Sequence, residues 1–189
     1  MKRSMMTVAA LAVTFVASSA QAQVARPISF GVSAGAAIPT GDMGDGLNTG
    51  IGLTGFADMK TPSLPVNFRG ELSFNRFGVK DLPSGVDGHS RIFAGIVNAV
   101  FAVPTKSSIQ PYVLGGPGVY SLKTTMSDGD IDISTSKTAM GLNGGMGLNF
   151  HLGTFSTFAE ARYHYVFSKD DEKGFPNSQT IPLSFGIRF

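Results

Sequence analysis

Cysteine and tryptophan are both absent from this chain of 189 residues, and charged residues make up only 15% of it. Without cysteine there is no disulfide framework, so stability has to come from burial and backbone pairing. Long apolar runs are missing too. Beyond the N-terminus, Gly, Asn, Ser or a charge interrupts every apolar stretch before it reaches the length of a membrane-spanning helix. No excess of one charge survives close reading either. The formal charge of +2 falls to 0 once Lys2 and Arg3 are removed with the leader described next, so no nucleic-acid partner is inferred.

That leader is residues 1–22. Met1-Lys2-Arg3 is a short cationic start, Met5 to Val16 is almost unbroken apolar sequence, and Ala20-Gln21-Ala22 offers small residues to a signal peptidase. Cleavage is expected after Ala22, with Ala20 as the alternative. The apolar run is too short to span a bilayer as a helix. The 167 residues that follow, 23–189, suffice for one domain.

What the chain does have is glycine (24 residues), phenylalanine (15) and period-two alternation. Side chains alternate faces along a strand, so such stretches have one apolar and one small or polar face. About eight stretches show it, separated by turn residues. In 28–38, Ile28, Phe30, Val32, Ala34, Ala36 and Ile38 share a face. In 50–59, Ile51, Leu53, Ala57 and Met59 oppose Gly52, Thr54, Phe56 and Asp58. In the third, Val66, Phe68, Gly70, Leu72 and Phe74 oppose Asn67, Arg69, Glu71, Ser73 and Asn75. The fourth, 90–103, is ambiguous in phase because both of its faces are apolar. The fifth, 111–123, carries Tyr112, Leu114, Tyr120 and Leu122 in register. In 138–150, Met140, Leu142, Met146, Leu148 and Phe150 oppose glycines and asparagines. In 155–167, Phe155, Ala159, Ala161, Tyr163 and Tyr165 oppose Phe158, Glu160, Arg162 and His164. The last stretch puts Ile181, Leu183, Phe185, Ile187 and Phe189 on one face and ends on the aromatic itself.

Connections alternate in length. Those around 40–49, 79–89, 124–137 and 168–179 are long and hold most of the acidic residues; those at 60–65, 104–110 and 151–154 are short. Strands of this length match the 9–11 residues that a tilted strand needs to cross the hydrocarbon layer. In lipid every backbone N–H and C=O must be paired within the protein, so the sheet must close. The expected fold is all-β: an eight-stranded antiparallel up-and-down transmembrane β-barrel, with short turns on the periplasmic side and apolar faces outward. Eight strands leave an interior filled by side chains. Pro117 cannot donate to a ladder, so a bulge or a rim position is expected there. Tyr112 and Tyr120, eight positions apart, would stand about 20 Å apart along the membrane normal, which suits two interfacial belts; cross-strand packing is the alternative.

This pattern resembles the small eight-stranded outer-membrane β-barrel family of Gram-negative bacteria. The resemblance covers essentially the whole mature chain. Its most specific parts are Asn98-Ala-Val-Phe-Ala-Val-Pro-Thr105 with Pro111-Tyr-Val-Leu-Gly-Gly-Pro-Gly-Val-Tyr120, and the terminal strand. The resemblance implies that Leu183, Phe185, Ile187 and Phe189 are the signal read by the barrel-assembly machinery during biogenesis. It also implies contact with outer-membrane lipids and lipopolysaccharide, a location in the bacterial outer membrane, and no cofactor.

Candidates for chemistry are few. Arg69, Glu71, Glu160, Arg162 and Arg188 should point into the lumen, where they form either an ion-pair plug or a selectivity ring. His164 is expected inward beside Arg162, with His89 and His151 near loops or turns. Members of the resembled class include lipid A deacylases and palmitoyltransferases, which use a His with Ser and an acid at the outer rim. Here Arg162-Tyr-His-Tyr-Val-Phe-Ser168 lacks the close His–Ser spacing of the deacylase motif. Asp128-Gly-Asp130-Ile-Asp132 resembles a calcium loop, but Ile133 stands where Gly is needed and Ala139 where Glu should close it. Weak divalent-ion binding at the lipopolysaccharide surface is a further reading of that loop. Gly115-Gly116-Pro117-Gly118 opens no helix and is no phosphate cradle. No catalytic set and no metal site is therefore assigned. The expected function is non-enzymatic, structural or surface-interacting, through four displayed loops whose ligand is unknown. The alternatives are a narrow solute channel, a lipid A-modifying enzyme and a soluble periplasmic barrel with its apolar residues inside.

Overall fold

Period-two alternation becomes eight antiparallel strands in a computed structural model, which describes residues 28–61, 64–83, 86–128, 131–167 and 178–189. The leader expected at 1–22 lies outside the described residues. The strands are β1 (Ile28–Thr40), β2 (Gly50–Met59), β3 (Asn67–Gly78), β4 (Val86–Ala102), β5 (Ile109–Asp128), β6 (Ile131–Leu152), β7 (Phe155–Val166) and β8 (Ser178–Arg188), with one short helix, α1 (Asp42–Gly46). Each pairs with its sequence neighbour, and β1 pairs with β8 from Gly31–Arg188 to Thr40–Gln179, so the sheet closes. Phe30 and Phe189 exchange both backbone hydrogen bonds, at 3.0 and 2.9 Å, which ties the C-terminal residue into the seam.

Large apolar side chains cover the outside: Phe30, Leu53, Leu72, Val97, Met140, Met146 and Phe185 are all exposed. Burial of the opposite parity collects Arg69, Glu71, Asn98, Asn143, Glu160 and Arg162 inside. This inverts a soluble barrel and matches a wall that faces lipid. The register settles the phase of β4. Pairing of Phe93 with Phe74 turns it outward, and Ile92, Ile96 and Val100 face the lumen with Asn98. Both faces are apolar because the upper lumen is itself apolar.

The ends of the barrel differ. One carries the short connections, including the two-residue turn Gly153-Thr154, whose glycine sits at φ 78°, the left-handed setting that tight hairpins use. The other carries 41–49 and 79–85, and the stretch expected as a long loop at 124–137 is a correction. There β5 and β6 stay paired from Thr124–Thr135 to Asp128–Ile131. The β-branched residues Thr124, Thr125, Ile133 and Thr135 favour extended backbone, so the hairpin projects instead of looping. His89 likewise lies within β4, opposite Gly78 and Thr125.

Pro117 brings no bulge and no rim. The β4–β5 ladder pairs Ile96 with Gly118, lapses, and resumes at Ala99–Gly115 in the same register. No residue is inserted. A Cβ on Gly116 would fall on the carbonyl oxygen of Val97, so the two backbones close up where the proline lacks its donor. Inside, Asn143 Nδ2 donates to Gly116 O (2.9 Å) and to Asn98 Oδ1 (2.8 Å), bridging the gap with side chains.

Candidate functional site

Among the described residues, the lumen is where the fold gathers its buried polar and charged groups. β3 and β7 lie four strands apart, hence across the barrel from each other, and run in the same direction. The Arg-x-Glu of β3 therefore meets the Glu-x-Arg of β7 level for level. Arg69 Nη1 donates to Glu160 Oε2 at 3.0 Å. One level higher, Arg162 holds Glu71 through both terminal guanidinium nitrogens, with Nη2 to Oε1 at 2.7 Å. Arg162 Nε also donates to Glu160, closing the square along β7. Two like-directed strands need opposite charge order to pair this way, and the two tripeptides supply it.

A third layer lies towards the turn end. Arg69 Nε donates to Asp58 Oδ1 at 2.6 Å, and Arg188 Nε lies 2.8 Å from Asp58 Oδ2. Arg188 Nη1 donates to Asn149 Oδ1 at 3.2 Å. Three carboxylates (Asp58, Glu71, Glu160) thus face three guanidiniums (Arg69, Arg162, Arg188). Such balance is what a dry interior demands, because an unpaired buried charge is costly. Asp58 was missing from the candidates. It stands on the inward parity of β2, two residues beyond Phe56, and that position was the signal.

Tyr112 and Tyr120 correct the expectation of interfacial belts. Both point into the lumen and are 1% and 2% exposed. Tyr112 Oη donates to Glu160 Oε2 at 2.7 Å, and Tyr120 Oη lies 3.1 Å from His164 Nδ1. The reason is local. Even positions of β5 face inward, and the outward parity carries Val113, Pro117 and Val119 instead. Each ring also needs a bare neighbour. Tyr112 lies over Gly147, its partner on β6, as Phe56 lies over Gly31 and Phe158 over Gly186, each again its cross-strand partner. Phe56 and Phe158 meet edge-on with ring centroids 5.5 Å apart, and the Arg69 guanidinium stacks 4.3 Å above the Phe56 ring.

Above Tyr120 and His164 the lumen is mostly apolar, with Thr124 Oγ1 donating to the buried Ser90 Oγ at 3.2 Å beyond it. Ala37, Phe77, Ile92, Ala94, Ile96, Leu122 and Val166 pack together, and Met43 of α1 joins them from the first connection. That connection is braced. Lys80 Nζ donates to Gly44 O at 2.6 Å, and Asn48 N–H donates to Gly78 O at 2.9 Å. The turn end instead opens into a polar vestibule of about 310 Å³ whose lining includes Lys60, Asn67, Gln110, His151 and Arg188.

His164 is buried against Tyr120 below the apolar plug, and Ser168 lies outside the described residues. His151 sits at the turn end, 3.4 Å from Ser108 O. Among the described residues no group of three His, Cys, Asp or Glu is placed to hold a metal ion. Gly129 and Asp130 fall outside them. The terminal-strand residues Leu183, Phe185, Ile187 and Phe189 are all exposed on the outer wall.

With this geometry in hand, likeness to known proteins is informative. The family model described as outer membrane protein beta-barrel domain matches residues 8–189. No curated protein sequence matches the chain. Neisserial surface protein A shares the fold at TM-score 0.64 and 18% identity, with 86% of this chain and 96% of that one covered. A major outer membrane protein from Thermus thermophilus does so at TM-score 0.62 and 15% identity, covering 87% and 99%. Ail, the attachment invasion locus protein of Yersinia pestis, does so at TM-score 0.50 and 22% identity, covering 86% and 96%.

Proposed function

Because the chain belongs to the outer membrane protein β-barrel family, we propose that it is a non-enzymatic structural or surface-interaction protein whose barrel is sealed and whose loop end faces outside the cell. It resides in the outer membrane. One observation carries the reading: a neutral ion-pair layer spans the lumen from β3 to β7, under an apolar plug that includes Met43 of α1. A solute path would have to break both. Short connections gathered at one end support the orientation, since outer-membrane barrels keep short turns in the periplasm. Four connections are then displayed outside: 41–49, 79–85, the β5–β6 turn and the segment between β7 and β8. The β5–β6 hairpin projects on the extension of β4, β5 and β6, with Met126 and Ile133 exposed as a cross-strand pair.

Planar-bilayer recording tests the sealed lumen. The wild-type barrel is expected to give no discrete conductance steps above the lipid baseline. Steady steps whose size changes on Arg69→Ala would overturn the reading in favour of a narrow channel.

The terminal strand extends the proposal to biogenesis. Phe189, with Ile187, Phe185 and Leu183, offers an outward apolar row to the barrel-assembly machinery. Phe189→Ala is expected to lower the assembled, heat-modifiable fraction in cells severalfold while the purified chain still refolds in detergent. Unchanged assembly in cells would argue that these side chains only face lipid.

A further inference from the structure

The register of β3, β4 and β5 sets three cations side by side on the outer wall. Arg76 is paired with Arg91, and Arg91 with Lys123. All three are exposed, and all lie on the lipid-facing parity of their strands. One outward position nearer the middle of the wall stand Phe74, Phe93 and Ser121, again in a single cross-strand row. The cations therefore rim the apolar band at the loop end. Like charges directly opposite on neighbouring strands repel. Among the described residues no carboxylate forms an ion pair with any of them, although every luminal arginine has one. The nearest acid on this face of β4 is Asp87, two outward positions further from the membrane.

We propose that Arg76, Arg91 and Lys123 form a binding row for the phosphate groups of the outer-leaflet glycolipid, lipopolysaccharide. The row spans two strand steps, about 10 Å, so three cations present themselves to one anionic headgroup. Arginine's planar fork meets phosphate oxygens through paired charge-assisted hydrogen bonds, and lysine adds a point charge. A ligand carrying phosphates above acyl chains satisfies both rows at once, the phosphates on the cations and the chains on Phe74 and Phe93. A soluble anion would leave the phenylalanines unused. The assignment rests on the orientation proposed above, which places the loop end outside.

The test uses the mature barrel in phosphatidylcholine nanodiscs, titrated with diphosphoryl lipid A and read by native mass spectrometry. The wild type is expected to retain diphosphoryl lipid A. Replacing the row by glutamine (Arg76→Gln, Arg91→Gln, Lys123→Gln together) should weaken retention by about tenfold or more, and Arg91→Gln alone by less. These side chains are exposed, and a heat-dependent gel shift confirms that each variant is folded. Dephosphorylated lipid A should bind the wild type as weakly as diphosphoryl lipid A binds the triple variant. Equal retention with or without phosphates, or in the triple variant, would overturn the proposal. So would competition by millimolar inorganic phosphate, which would make the row a site for soluble anions. Orientation is read separately through Ile133→Cys, a unique thiol in this chain. Labelling on intact cells without phosphate dependence overturns the row alone. Labelling only after permeabilisation overturns the orientation, and the row with it.

Discussion

Glu160→Ala is expected to lower the unfolding free energy of the barrel by about 3–5 kcal/mol, the cost of leaving buried charges without a partner. Glu160 touches three groups: Arg69, Arg162 and the Tyr112 hydroxyl. Its removal leaves Asp58 and Glu71 facing Arg69, Arg162 and Arg188, two negative charges against three positive. The sealed lumen proposed above leaves that excess poorly solvated. Removing a matching cation as well should restore much of the loss. In Glu160→Leu with Arg162→Met, two carboxylates face two guanidiniums, and apolar side chains fill the vacated volume. The measurement is urea unfolding from lipid vesicles, followed by far-UV circular dichroism because the chain has no tryptophan. A double-mutant cycle then isolates the coupling. A cost below about 1 kcal/mol for Glu160→Ala, as for an exposed ion pair, would show the lumen to be hydrated and the sealed reading wrong.

Gly147→Val should be comparably damaging, by about 2.5–6 kcal/mol, for a steric reason. Any Cβ at Gly147 meets the Tyr112 ring, which lies across the backbone of its β6 partner. Valine must push the ring away, and overpacking of this kind costs about 1–3 kcal/mol. Displacement also breaks the Tyr112–Glu160 hydrogen bond, of a charged class that contributes about 1.5–3 kcal/mol. Tyr112→Ala in the same background supplies the check. With the ring gone the valine has room, so the double variant should be less destabilised than the two single changes added together. Strict additivity would mean that the ring and the glycine are independent, and that the pairing of luminal aromatics with glycines has no energetic content.

That pairing connects composition to structure. The chain is rich in glycine and phenylalanine, and the reason is visible at Gly31–Phe56, Gly147–Tyr112 and Gly186–Phe158. In this barrel of eight strands Phe56, Tyr112 and Phe158 each fit inward where the facing position has no side chain. From the sequence alone the glycines read as a polar-side filler, and their role as seats for particular rings was hidden.

Alternation determined a good deal without any tertiary information. It placed β1, β2, β3, β6, β7 and β8, and it put Arg69, Glu71, Glu160, Arg162 and Arg188 on inward parity, because parity is a local property of an extended chain. Only the closed sheet decided the rest. β4 has two apolar faces, so its phase waited for Phe93 to meet Phe74. Tyr112 and Tyr120 have rings that suit lipid and hydroxyls that suit the lumen, and Glu160 and His164 decided between them from strands far along the chain. Asp58 was on the right face, yet its value lay in Arg69 and Arg188. The Arg76–Arg91–Lys123 row exists only through register, which no single strand carries. Sequence sets which side of a strand a residue occupies; what it meets there depends on residues tens of positions away, and closure of the barrel brings them together.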